Sequence, residues 1–290
     1  MAQQVVIVDQ TRQIDQSLLH EAAIALNTQV TRDLPVHWSG ISANVSSAPS
    51  LSSVPPGAWP VFLVRSLPPG EGGFHLDKHN QPYAKVIASP TDESWTIDAS
   101  HEIVEMLVDP FGNRMHSFEA IEISGDNVID GTGIFNYLVE ACDPCEANNF
   151  AYDISGIAVS DFITPHFYDA SVTPGALYSC RGNIKRPRQL LPGGYISYVQ
   201  PDRQWNQILW VDPEQPPQYK VPDIADGVRS MRLEIHRAMG AKLDAAKHAQ
   251  RRKKGGLADN VRTRLASYQT YRSEKGREKL LLDWYGLGDK

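Results

Sequence analysis

Trp95-Thr-Ile-Asp-Ala-Ser-His101-Glu102-Ile-Val-Glu105-Met-Leu-Val-Asp109-Pro-Phe-Gly-Asn113 is the stretch on which the reading of this 290-residue chain turns. Its apolar residues Ile103, Val104, Met106, Leu107 and Val108 fit the buried side of a short helix. His101 and Glu105, four apart, share one face of that helix. Asp98 or Ser100 offers an N-cap. Pro110 disfavours helical backbone at Asp109, so the helix should end there. His101, Glu102 and Glu105 read His-Glu-x-x-Glu, the zinc-protease spacing with glutamate in place of the second histidine. Zinc accepts imidazole nitrogen and carboxylate oxygen and is usually four-coordinate, so His101 and Glu105 are a matched pair of ligands. Glu102, beside the first ligand, stands where a metallopeptidase keeps the base that takes a proton from water.

Spacing alone also describes a solvated helix face, and the surroundings argue for the metal. Between residues 92 and 169 there are sixteen Asp and Glu, and Arg114 is the only Lys or Arg. A buried cluster of carboxylates is costly without a compensating cation. Further ligands lie within plausible reach. Asp109 is one turn beyond Glu105. Glu140 and Asp143, in Glu140-Ala-Cys-Asp143-Pro-Cys-Glu146, form a second acidic cluster, and His75, His79 and His116 are imidazoles that could approach. Asp109 with Asn113 would suit calcium, as a second or alternative ion.

Upstream, Gln4–Val8 reads as a buried strand. Ile14, Leu18, Ala22, Leu26 and Val30 recur every four residues, which predicts an amphipathic helix capped near Asp15 or Ser17 and ended by Pro35. Val36–Trp38 then reads as a second strand and Ser46–Pro60 as a Ser/Pro-rich loop. Val61–Arg65 and Tyr83–Ser89 read as strands on either side of a Pro68–Gly73 turn. Downstream, strands are expected at Phe118–Ser124, Tyr152–Val159, Gly194–Val199 and Gln207–Val211, with Gly125–Gly133 as a turn. Asp212–Pro222 holds four prolines and reads as a linker. Beyond it, Val228, Met231, Ile235, Met239 and Leu243 predict a helix with a basic face.

Net charge is -6, but from residue 226 onward sixteen Lys and Arg face eight Asp and Glu. A basic run, Arg251-Arg-Lys-Lys254, fits an acidic protein partner; without a nucleic-acid fold signature, nucleic acid is not expected. Hydrophobic residues make up 41% and mean hydropathy is -0.35, with no apolar run of about 20 residues, so no membrane span is expected. The N-terminus lacks the pattern of a secretory signal, and three cysteines cannot build a disulfide framework. A cytoplasmic setting is the expectation. Cys142 and Cys145 are expected to be buried or weakly metal-associated thiols, because nearby carboxylates raise a thiol's pKa. His166 and Tyr168 are oxyanion candidates, or members of an aromatic cluster.

Ser100-His-Glu-x-x-Glu-x-x-x-Asp-Pro-x-x-Asn113, followed by Glu140-x-x-Asp143-x-Cys145-Glu146, resembles a zincin-like group of uncharacterised bacterial and phage proteins. It is also similar to the motif of plant exordium-like proteins. The resemblance covers roughly Val61–Gln200. It implies an α+β fold: a twisted mixed β-sheet with the His-Glu helix beneath an edge strand. It implies zinc at His101 and Glu105, Glu102 as base, Glu140 as third ligand with Asp143 holding His101, and a peptide or protein substrate. A phage origin would make the protein virion-associated. Glutamate at position 105 departs from zincins of known activity and makes the ion a weaker Lewis acid, which leaves a non-catalytic structural or interaction role as the alternative. Two units are expected: a zincin-like domain over 1–222 and a basic helical extension over 223–290, with the first folding without the second.

Overall fold

The computed structural model describes residues 2–67, 72–221 and 285–287. Strand β1 (Gln3–Asp9) lies inside the first sheet, and its Val5–Val8 run is apolar throughout because both faces are covered. Val5 and Ile7 join the main core, while Val6 and Val8 join a smaller cluster on the opposite face. Helix α1 (Gln16–Thr28) follows, capped by the Asp15 carboxylate, which accepts from the Ser17 and Leu18 amides.

Pro35 does not end the helical path. A π-helical turn at Gln29–Asp33 shifts the register, and α2 (Leu34–His37) begins afresh with Pro35 in its first turn. There the missing proline N–H costs no hydrogen bond. Val36 and His37 are therefore helical, and Trp38 ends the turn, not a strand, with its indole N–H donating to the Ile163 carbonyl. The second strand is β2 (Ala43–Ala48), part of it inside the stretch that reads as a loop. It pairs in parallel with β1 from Gln3↔Ala43 to Val8↔Ala48, burying Ala43, Val45 and Ala48 and leaving Asn44 and Ser46 exposed.

Strands β3 (Trp59–Val64), β4 (Gly73–Lys78) and β5 (Gln81–Ile87) complete a five-stranded sheet of order β2-β1-β3-β5-β4. All neighbours are parallel except β4, which runs antiparallel to β5 at the edge. The sequence reading lacks β4. It exists because His79 and Asn80, at φ 53° and 62°, close a two-residue hairpin that folds the segment back onto β5.

Helix α3 (Trp95–Val108) packs against β4 and β5 and ends at Asp109, as Pro110 predicts. It starts earlier than Asp98 or Ser100, which therefore do not cap it. The Ser100 hydroxyl instead accepts from the Ser160 amide. Every residue of α3 except Asp98 is buried. The sheet covers one side; β9 (Ile157–Val159), which pairs with β8 (Tyr152–Ile154), and the loop after β7 cover the other. His101, Glu102 and Glu105 are thus held in the interior and do not form a solvated face.

The second half is antiparallel. A long hairpin of β6 (Met115–Ser124) and β7 (Asn127–Leu138) runs through the expected Gly125–Gly133 turn, turning instead at Gly125-Asp126. With β10 (Tyr195–Val199), β11 (Trp205–Leu209) and β12 (Gln218–Lys220) it forms a sheet of order β12-β11-β10-β7-β6. β12 falls within the proline-rich stretch expected to be a linker. A mixed first sheet, an antiparallel second sheet and the helices α1 and α3 make the described fold α+β. Among the described residues, no helix is long and apolar enough to cross a membrane.

The basic helical extension expected over 223–290 lies outside the described residues, apart from Tyr285–Leu287. Tyr285 packs on the outer face of the first sheet, its ring 5.0 Å from Phe62 and 5.4 Å from Tyr83, and Leu287 joins the same apolar cluster.

Candidate metal centre

Three pieces of chain meet at the buried end of α3. The helix supplies His101, Glu102 and Glu105; β4 supplies His75; the loop after β7 supplies Asp143. The loop is docked on the helix by the Cys142 amide, which donates to Glu105 Oε1 at 3.0 Å, and by the Cys142 thiol against the His101 carbonyl. Asp143 opens a 3-10 turn through Pro144 and Cys145. Behind it stands Gly194, where a Cβ would lie 2.9 Å from the Pro144 carbonyl carbon and closer still to the Asp143 carbonyl oxygen. Only glycine lets β10's lead-in approach the loop so closely.

His101 Nε2 is 3.3 Å from Glu105 Oε2 and 3.2 Å from Asp143 Oδ1. Glu105 is 0% exposed, Asp143 1% and His101 6%. Among the described residues, these three form one of two groups whose ligand atoms lie within 4.8 Å of one another. A tetrahedral zinc with bonds of about 2.0–2.1 Å holds its ligand atoms about 3.3 Å apart, so the observed spacings fit it. Asp143 Oδ2 is buried without a hydrogen-bond partner among the described residues, a cost that a bound cation would relieve.

The second group is His75, Glu102 and Glu105. His75 is fully buried, with Nδ1 3.1 Å from Glu102 Oε2 and 3.9 Å from Glu105 Oε2. Its Nε2 lies 3.3 Å from the Asp109 carbonyl. Gly73, two residues earlier on the same face of β4, sits so near that a Cβ there would be 2.9 Å from Glu102 Oε1. Sequence reasoning names His75 only as an imidazole that could approach. The signal that would have placed it is the two-residue spacing of Gly73 and His75 on an edge strand crossing the helix.

The other candidates take other places. Asp109 Oδ2 accepts from the Arg114 amide at 2.8 Å, and the Arg114 guanidinium caps the Val108 carbonyl, so Asp109 organises the helix end. Asn113 is exposed, and Asp109 joins neither ligand group. Glu140 is buried but also joins neither; its charge is felt by Tyr168 and Tyr195. His79 is exposed in the hairpin turn. His116 stacks on Tyr168 at 4.7 Å within an aromatic group that includes Phe118 and Tyr137, and His166 is outside it, paired with Asp169.

Charge in the centre is out of balance. Burial would lower the His101 pKa, but Glu105, Asp143 and Glu102 override it and hold the imidazolium well above its usual 6.5. Burial and the Glu105 charge push the Asp143 carboxyl up to about 7 against the opposing pull of His101. Both shifts express one fact: the carboxylates need positive charge between them, from a proton or a metal ion. The Cys142 and Cys145 thiols are raised by burial first, then by nearby charges that include Glu105 and Asp143, which keeps them protonated and unreactive. All three cysteines are free. Compared with family models, curated proteins and solved structures, the chain matches none.

Proposed function

We propose that this protein is a metal-dependent hydrolase of the zinc-peptidase type, with the ion held by His101, Glu105 and Asp143 and with Glu102 as the base. The observation that carries the reading is the set of His101 Nε2, Glu105 Oε2 and Asp143 Oδ1, buried together, with both carboxylate oxygens at the distance from the imidazole nitrogen that a tetrahedral ion would set. The imidazole favours zinc over calcium, which takes six to eight oxygen ligands. Bound zinc would polarise a carbonyl and make water acidic. Glu102, next to His101 on the helix and facing β4, is the carboxylate placed to accept a proton. His75 Nδ1 fixes its orientation.

The edge position of β4 supports a peptide substrate. Among the described residues it is the last strand of its sheet and it runs past Glu102 at Gly73, so an extended chain added there as a further strand would pass the proposed base. The mixed sheet with an antiparallel edge strand across the helix agrees with the zincin-like arrangement that the motif implies. One feature favours a second reading, a structural cation: all three ligands are buried, and structural zinc sites are closed where catalytic ones keep an open position.

Metal analysis of the purified protein tests the site. Zinc is expected, lost in His101→Ala and retained in Glu140→Gln; protein without bound metal at neutral pH would sink the assignment. Digestion of a peptide library then separates the readings. Cleavage abolished by Glu102→Gln supports the hydrolase, equal cleavage by both proteins removes Glu102 as base, and zinc without cleavage favours the structural ion.

A further inference from the structure

We propose that Gly73 is a positioning residue: by carrying no side chain, it sets where the Glu102 carboxylate stands. The inference rests on the hydrolase reading above for what Glu102 does, and on distances alone for where its carboxylate lies.

Glycine weakens a strand, and inside one it marks a bulge or a close approach. Backbone conformation does not call for it here. Gly73 is not among the glycines of positive φ, so an alanine could adopt its backbone. Space calls for it. A Cβ at this position would lie 2.9 Å from Glu102 Oε1, 3.1 Å from Glu102 Cγ and 3.3 Å from the Lys85 carbonyl oxygen. Two of those three atoms belong to one side chain, and that side chain is the proposed base.

Which neighbour would give way follows from what holds each. The start of β4 is pinned to β5: Gly73 pairs with Val86, and the Ile87 amide donates to the Gly72 carbonyl at 2.8 Å. Lys85 lies in the same ladder, so its carbonyl cannot retreat. The Glu102 backbone is equally fixed, in the middle of α3. The far end of the Glu102 side chain is the movable part. To reach ordinary contact at 3.4 Å, Oε1 must withdraw by about 0.5 Å.

On its other side the carboxylate meets His75, which follows Gly73 on the same face of β4 and holds Nδ1 3.1 Å from Oε2. Residues 73 and 75 therefore bracket the carboxylate, and strand β4 aims a group whose backbone belongs to α3. A displacement of about 0.5 Å is at the limit of what a catalytic group tolerates, and one of about 1 Å can cost on the order of 100-fold in rate. None of the three atoms nearest that Cβ belongs to His101, Glu105 or Asp143, so the ligand set should stay as it is.

The test compares the zinc-loaded natural chain with Gly73→Ala, Glu102→Asp and the double variant, reading kcat, KM, bound zinc and Tm, with a peptide that the natural protein cleaves. Gly73→Ala should keep its zinc and its KM and lose about 10–100-fold in kcat. Glu102→Asp draws the carboxylate back by one methylene and empties the contested space. Adding Gly73→Ala to it should then change kcat by no more than about twofold. Tm should follow the same pattern, and it reads the contact even where Glu102→Asp turns over too slowly to measure. Equal losses in both backgrounds would mean a general distortion of β4 and overturn the inference, as would natural kcat or lost zinc in Gly73→Ala. Absence of cleavage by the zinc-loaded natural protein is a different failure: it removes the hydrolase reading, and with it the base that Gly73 would place. Should Gly73→Ala fail to fold by circular dichroism, the double variant decides. Recovery of the fold supports the shared space, and an unfolded double variant overturns it.

Discussion

Gly194→Ala is the substitution that most directly asks whether Asp143 is a ligand, because it moves the ligand without altering any group of the centre. The added Cβ would stand 2.9 Å from the Pro144 carbonyl carbon, where ordinary contact begins at 3.4 Å, so that carbon must retreat by 0.5 Å and the Asp143 carbonyl oxygen by more. The loop has little room to yield. The Leu191 amide bonds the Pro144 carbonyl, and the Cys142 amide bonds Glu105. Overpacking of this kind costs about 1–3 kcal/mol, which for a domain of this size lowers Tm by several degrees. A ligand displaced by about 0.5 Å is outside the tolerance of a metal site, and losses of support around ligands weaken binding about 10–100-fold. Zinc affinity should be read by competition with a chromogenic chelator, with Gly131→Ala as control, since a Cβ there meets its nearest neighbour at an ordinary 3.4 Å. Wild-type zinc affinity in a folded Gly194→Ala protein would refute the role given to Asp143.

Two further outcomes follow from the same structure. The His101 pKa lies above its unfolded value, so its stabilisation is complete below about pH 6.5 and is lost as pH rises through the folded value. Asp143, raised from 3.8 to about 7, penalises the metal-free fold progressively as pH rises from about 3.8 to 7, so the upper part of that loss also falls between pH 5.5 and 8. The metal-free protein should therefore melt lower at about pH 8 than at about pH 5.5, while the gain in Tm on adding zinc, which needs both groups deprotonated, should be larger at pH 8; a larger gain at the acidic end would contradict this. Tyr285→Ala removes a ring packed on Phe62 and Tyr83 and should cost about 1–2 kcal/mol in chemical denaturation; an unchanged midpoint would show that the contact carries no stability.

The sequence made α3 legible because the cues there are local: apolar spacing, a His-Glu pair and a proline one residue past the end. The outcome at Asp143 was not legible in the same way. Glu140 and Asp143 lie in irregular backbone, where no period says which side chain faces the helix, and the choice is made by distant residues such as Gly194. β2 was hidden because its stability comes from the ladder to β1 and not from its serines and alanines. β4 was hidden because Gly72 and Gly73 look like a turn, although glycine is needed there for the close approach to Glu102. His75 was lost with it. The helix through Pro35 depends on a π turn whose register change no apolar spacing announces.

Tyr285 meets Phe62 and Tyr83 across more than two hundred positions of sequence, so the closure entropy of that contact has to be offset by the apolar area it buries. Tyr83 belongs to β5, the strand paired with β4, which leaves this long-range contact one strand away from His75.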